Sequence, residues 1–379
     1  MIKKIVLILF CLTIFQFFLP NSYAQSPSNP KPPVQEFYKG VVVEISEQGE
    51  TEVDNYKSYY QVIDIKILEG SEKGKIKNIE NGKQFRMGKN QLLKVGQEIV
   101  IAKVIYQNGE TIYSVYDFYR LNMIAILAII FFIAVFLVGG KKGIGSTLGM
   151  LISLGVILVF IVPLILKGYD PLTITLIGSM IIIITTTYLA HGVSQKTTIA
   201  LISTIVSLIF TAGFALSAIE LSNITGLGNE EAYSLQLGPT SFIDIRGLFL
   251  SGIIITTLGA LNDITTTQST TLYELKQANP KLTFIELFES GLTVGKEHIA
   301  SMVNTLVLAY AGGAFAVFIF LVLNPVKLPY WVILNNEIIS DEIIKIISGS
   351  MGLLLSVPIV TIIAAYWFSQ GVKKESGNH

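Results

Sequence analysis

Hydrophobic residues in this chain follow two rhythms. From residue 121 onward they form long unbroken runs, at 121–138, 144–166, 172–190, 198–218, 247–271, 299–323 and 343–368. A helix of ~20 apolar residues spans the ~30 Å hydrocarbon core of a bilayer. The pattern therefore predicts seven membrane-crossing helices. Between 37 and 117 the rhythm is shorter. Residues 37–45, 59–68, 75–79, 98–106 and 111–116 are β-branched and aromatic, partly alternating, and separated by turn pairs such as Glu69-Gly70, Asn81-Gly82 and Asn108-Gly109. Five such segments predict a small all-β domain of OB- or SH3-like barrel type. The expected fold class is an α-helical polytopic membrane protein of about seven spans with a small extracytoplasmic all-β domain at its N-terminus.

The chain opens on Lys3 and Lys4, an apolar run from Ile5 to Leu19, and Ser22-Tyr23-Ala24. A basic start, a short apolar stretch and small residues before a break predict a signal peptide over 1–24. An uncleaved signal anchor fits the same short run. Cleavage would remove Cys11, the one cysteine, leaving no thiol for a disulfide or a metal. Phe10 makes Cys11 a poor lipidation site. Residues 25–36, QSPSNPKPPVQE, are too rich in proline for regular structure and predict a linker. The domain plan is then 37–117 for the β domain, 121–368 for the spans and 369–379 for a tail.

Charge changes the picture through its placement. Formal net charge is zero and offers no basis for nucleic-acid binding, while 14% charged residues and a mean hydropathy of +0.60 set the chain apart from soluble proteins. Lys141, Lys142, Lys196, Lys276, Lys281, Lys296, Lys373 and Lys374 fall in every second segment between the spans and in the tail, all on one side. The positive-inside bias then puts the β domain outside and the C-terminus in the cytoplasm, in agreement with the signal peptide. Gly145-x3-Gly149 and the group Gly349, Ser350 and Gly352 read as helix-packing faces.

Candidate chemistry concentrates between 247 and 312. In the fifth run, Asp263, Thr267, Thr270 and Glu274 share one helical face, beside Asn262. In the sixth, Glu297, Ser301, Asn304 and Thr305 stack at helical spacing. A carboxylate within a span costs about 3 kcal/mol by insertion scales, so it should face protein or water. Two such stripes facing one another would form a polar cleft with carboxylates on both sides. The blander reading places Asp263 at the water interface, paired with Lys276 or Lys296, and makes Asn304 a helix–helix hydrogen-bonding residue. Residues 283–294 read as a short amphipathic helix at the inner surface.

This same block carries a family resemblance. Gly259-Ala260-Leu261-Asn262-Asp263, then Glu274-Leu275, Gly295-Lys296-Glu297 and Ser301-Met302-Val303-Asn304-Thr305-Leu306-Val307-Leu308-Ala309-Tyr310, resembles the YibE/F-like family of multi-span bacterial membrane proteins. Asp117-Phe118-Tyr119-Arg120 and Glu69-Gly70 are weaker echoes. The chain departs from the family pattern at Lys296-Glu297, where that pattern has Arg-Asp, and at Thr265 and Gln268, where it is apolar. The resemblance implies a multi-span fold in a bacterial plasma membrane and a permease-like role, with no settled activity to transfer.

Nucleotide and hydrolase motifs are absent. Gly70 to Lys75 approaches a phosphate loop, but its second glycine comes early and Ile76 replaces the Ser or Thr. No His-Glu-x-x-His or Gly-x-Ser-x-Gly occurs. The expectation is a secondary or channel-like transporter rather than an enzyme, without a cofactor and with any metal left open. Asp263 and Glu297 would bind a cation or proton, and Asn262, Thr267, Ser301, Asn304 and Thr305 would line the path. Its partners would be the lipid bilayer and an unidentified solute or ion. The alternative is a membrane scaffold or accessory subunit whose 37–117 domain binds a protein or envelope component. A hydrolase built from Asp263 with Ser269 or His298 ranks below both, since these do not share a helical face.

Overall fold

A computed structural model describes residues 34–106, 109–324 and 326–371. The expected signal peptide with Cys11, most of the 25–36 linker, Asn108 and the tail beyond 371 lie outside the described residues. The chain divides into two compact units, one ending at Ala134 and the other beginning at Val135.

The first unit is an antiparallel sheet of five strands, β1 (Val34–Val53), β2 (Tyr56–Ile67), β3 (Ile76–Asn81), β4 (Glu98–Ile105) and β5 (Thr111–Phe118), in the order β3-β2-β1-β4-β5. β1 begins three residues inside the expected linker, where Val34 pairs with Ile105. It continues through the polar stretch to Val53 and turns back at Asp54-Asn55, both at positive φ, a two-residue hairpin turn. Alternation puts Val42, Ile63, Ile65, Ile67, Ile79, Ile99 and Ile101 into one core. The expected closed barrel is not formed. The two register shifts in β1 bend the sheet, but β3 has only six residues, and among the described residues no ladder joins it to β5.

The second unit is helical. The helices are α1 (Leu121–Gly140, which starts in the first unit), α2 (Gly143–Leu166), α3 (Pro171–His191), α4 (Gln195–Leu221), α5 (Glu230–Leu237), α6 (Ile245–Ala278), α7 (Phe284–Gly313), α8 (Phe315–Leu323), α9 (Tyr330–Leu334) and α10 (Glu337–Ser369). Six of them (α1, α2, α3, α4, α6 and α10) are long and apolar enough to cross a membrane. In place of the expected continuous sixth span, α7 and α8 meet at a 67° bend beyond Gly312-Gly313, the geometry of a broken span or a re-entrant loop. The expected amphipathic segment 283–294 is the first part of α7, started by Thr283, whose side chain and that of Glu286 cap each other's backbone N–H.

Small residues let the helices approach. Gly352 of α10 lies against Thr211 of α4, and Gly349 against Thr257 of α6 and Leu306 of α7. Gly145 and Gly149 of α2 lie against Leu189 and Thr186 of α3. The core these contacts enclose is made by Leu208, Ala215, Ile253, Ile254, Leu261 and Leu353, among others.

Candidate functional site

Hydroxyl and amide side chains tie α6 into the bundle. Thr187 Oγ1 of α3 donates to Asn262 Oδ1 at 2.7 Å. Thr204 of α4 and Thr265 of α6 share a hydrogen bond of 2.6 Å. Gln268 Nε2 donates to the Gly291 carbonyl of α7 at 2.7 Å and to Thr361 Oγ1 of α10 at 2.9 Å. Ser269 Oγ donates to the Lys196 carbonyl at 2.8 Å. Thr265 and Gln268, where the chain is polar and the family pattern apolar, are therefore helix-bridging groups, and both are buried. Away from lipid, each buried polar atom needs such a partner.

The opposite face of α6 is different. Asp263, Thr267 and Glu274 are exposed. Thr266, Thr267, Thr270, Thr271 and Glu274 line an open groove of about 600 Å³ together with His191 at the end of α3. Asp263 lies close enough for its charge to interact with that of His191. Of the expected site residues, Asn262, Asp263 and Thr267 thus gather where α3 and α6 meet, together with a histidine that no local spacing linked to them.

The other expected residues do not join them. Glu297, Ser301, Asn304 and Thr305 are exposed on α7, and Thr305 Oγ1 donates to the Ser301 carbonyl of its own helix at 3.0 Å. α7 touches α6 through Gly291 and Gly295, which lie against Leu272 and Gln268. At 3.6 residues per turn, Asp263 is about 140° around α6 from Gln268. The cleft expected between the fifth and sixth spans is therefore not assembled from these two stripes: Asp263 looks toward α3, away from α7. Tyr310 of α7 turns inward. Its phenolic oxygen is buried near Gly349.

Among the described residues no ion pair joins Asp263 to Lys276 or Lys296, the blander alternative, and Lys276 donates instead to the Leu282 carbonyl at 2.6 Å. Lys196 of α4 reaches Glu274 at 3.4 Å, so the end of the groove carries a cation and an anion from different helices. Among the described residues no three His, Cys, Asp or Glu side chains converge as a metal site.

Among the described residues of the β unit, a charge cluster gathers around the buried Glu72. Glu72 accepts from Lys103 Nζ at 2.7 Å and from Tyr113 Oη at 2.9 Å, with Lys77 and Lys75 at 3.7 and 3.8 Å. The Lys103 ammonium, seconded by the Tyr113 hydroxyl, pushes the Glu72 carboxyl down to about 2 against the opposing effect of burial.

Long apolar helices joined by buried hydroxyl and amide contacts define a multi-pass helical membrane protein. The YibE/F-like protein family matches the chain over residues 127–370, well over half its length, and the chain belongs to that family. No curated protein and no solved structure matches it.

Proposed function

We propose that this chain is a secondary or channel-like transporter or permease of a bacterial plasma membrane, responsive to a cation or proton at Asp263. The observation that carries the reading is a carboxylate on a 34-residue apolar helix, set beside a threonine-lined groove and the imidazole of His191. Ionisable groups at membrane depth mark ion and solute paths because their burial is otherwise so unfavourable. In this reading Thr267 and Thr270 line the path, and Asn262 is held in place by Thr187. Glu297, Ser301, Asn304 and Thr305 form a second polar surface on α7, outside that path. With the lysine-rich loops in the cytoplasm, the groove opens inward, the β domain is extracytoplasmic and the C-terminus cytoplasmic.

The test is thermal stability of the purified protein against cations, pH values and small solutes, beside Asp263→Asn. A ligand at ~100 times its dissociation constant stabilises by about 2.7 kcal/mol. The reading expects a shift in the wild type that Asp263→Asn abolishes. A ligand shift of full size in the variant would sink it.

A second reading is a scaffold or accessory subunit whose β domain binds a protein or envelope component. It is favoured by the separate compact unit with its own core. Deleting residues 34–118 should then abolish function, and function surviving the deletion would remove this reading.

A further inference from the structure

The loop after α4 is fastened to the start of α10 by one carboxylate. Glu337 Oε1 accepts from Thr225 N at 2.7 Å, Thr225 Oγ1 at 2.6 Å, Gly226 N at 2.8 Å and Leu227 N at 3.3 Å. Successive backbone N–H groups in such a turn form a nest for an anion, and Gly226 supplies the positive φ the turn requires. The backbone N–H groups of Thr225, Gly226 and Leu227 and the Thr225 hydroxyl are thus engaged by Glu337.

One helical turn further along α10, Asp341 is only 3% exposed, and its Oδ1 has no hydrogen-bond partner. Gly228 of the same loop packs so closely on this carboxylate that a Cβ there would strike it. The charges acting most strongly on Asp341 are Glu337, Glu342 and Lys345, all on α10, while the loop contributes the Gly228 backbone N–H. The one cation of that set is engaged elsewhere: Lys345 pairs with Glu342 at 2.7 Å and lies over the Phe249 ring at 5.3 Å. A buried ionised carboxylate lacking a counter-charge, one turn from another carboxylate, is strongly unfavourable. A proton on the unpartnered oxygen removes the conflict and needs no other group to change.

We propose that Asp341 is a proton-binding site, and that proton uptake there lets the loop 222–229 close onto the first turns of α10. The site takes one proton from solvent on Oδ1 and forms no other bond. When the proton leaves, the negative charge stands beside Glu337 beneath Gly228, and the loop opens to admit water. The closed form holds a proton that the open form releases, so closure weakens as pH rises. Glu337 is the positioning residue, since it fixes the loop whether or not Asp341 is charged.

Hydrogen exchange of the amides at 222–237 in the full chain, in lipid nanodiscs over a pH series, tests this. After correction for intrinsic exchange, wild-type protection should fall by about tenfold per pH unit above the midpoint, the slope of a single proton. Asp341→Asn, neutral and of the same shape, should hold the low-pH protection at every pH. It should also lose a carboxylic-acid carbonyl band from the infrared difference spectrum between low and high pH. Glu337→Gln should loosen the loop at every pH. A wild-type loop whose corrected protection does not change with pH would overturn the proposal, as would an Asp341→Asn chain that keeps the wild-type slope or the infrared band. None of these outcomes depends on Asp263 or on transport.

Discussion

Replacing Glu72 by glutamine tests the electrostatics of the β unit. Glu72 is buried and takes two hydrogen bonds, one from an ammonium and one from a phenol. Hydrogen bonds to charged groups contribute about 1.5–3 kcal/mol. Glutamine keeps one acceptor, and Lys103 keeps a second carboxylate, Glu36 at 3.3 Å. The loss should therefore fall short of the ~3–5 kcal/mol seen when a buried pair is broken outright, at about 2 kcal/mol. For a domain of this size that is a fall of roughly 8–16 °C in Tm. The pH dependence carries the sharper test. The Glu72 carboxyl is lowered from 4.5 to about 2 in the folded chain. A lowered carboxyl stabilises fully above its unfolded value, and that contribution fades as pH falls from 4.5 toward 2. The assay is thermal unfolding of residues 34–118, wild type against Glu72→Gln, followed by circular dichroism. The two should differ most near neutral pH and converge at the acid end. Equal melting temperatures near neutrality, or a gap that stays constant into acid, would refute the reasoning.

Two further outcomes concern the helices. Gln268→Leu removes both bridges from α6 to α7 and α10; hydrogen bonds between spans average ~0.6 kcal/mol with a ceiling of ~1.7, so the detergent-solubilised protein should lose about 1–3 kcal/mol, and a double-mutant cycle with Thr361→Val should show coupling. Gly352→Val pushes a side chain into Thr211 and should cost about 1–3 kcal/mol by overpacking, part of which Thr211→Ala should restore. An unchanged melting temperature for Gly352→Val would show that α4 and α10 do not approach as closely as described.

The parts of this fold that are legible in sequence are those where burial is one-sided or complete. β4 and β5 show themselves as apolar alternation, and the spans as unbroken runs. The outer half of β1, Ser46 to Val53, does not, because most of its residues are exposed or half-buried and its side-chain links to β2, such as Tyr60 to Glu47 and Gln61 to Gln48, are polar. The break after Gly313 is marked only by the pair Gly312-Gly313, with apolar residues continuing on both sides. At the candidate site, the polar face of α6 is visible as Asp263, Thr267, Thr270 and Glu274. Its partner is not, because periodicity tells which residues share a helix face but not which helix that face meets. Sequence order suggested α7, whereas the contact is with α3. Glu337 and Asp341 escape notice for a related reason. They stand at the start of an apolar run, and their significance depends on a loop more than a hundred residues earlier.

Helix lengths around the groove are unequal. α3 has 21 residues and α6 has 34, or about 32 and 51 Å at 1.5 Å per residue. The shorter helix barely covers a bilayer core, and the longer one exceeds it at any tilt typical of spans. His191 sits on the last turn of α3, whereas the α6 wall of the groove continues to Ala278. A thicker membrane would draw the end of α3 inward and let α6 stand more upright, changing the separation of the His191 imidazole from the α6 wall. The thickness of the surrounding lipid, rather than any bound molecule, is then a variable that sets the width of this groove.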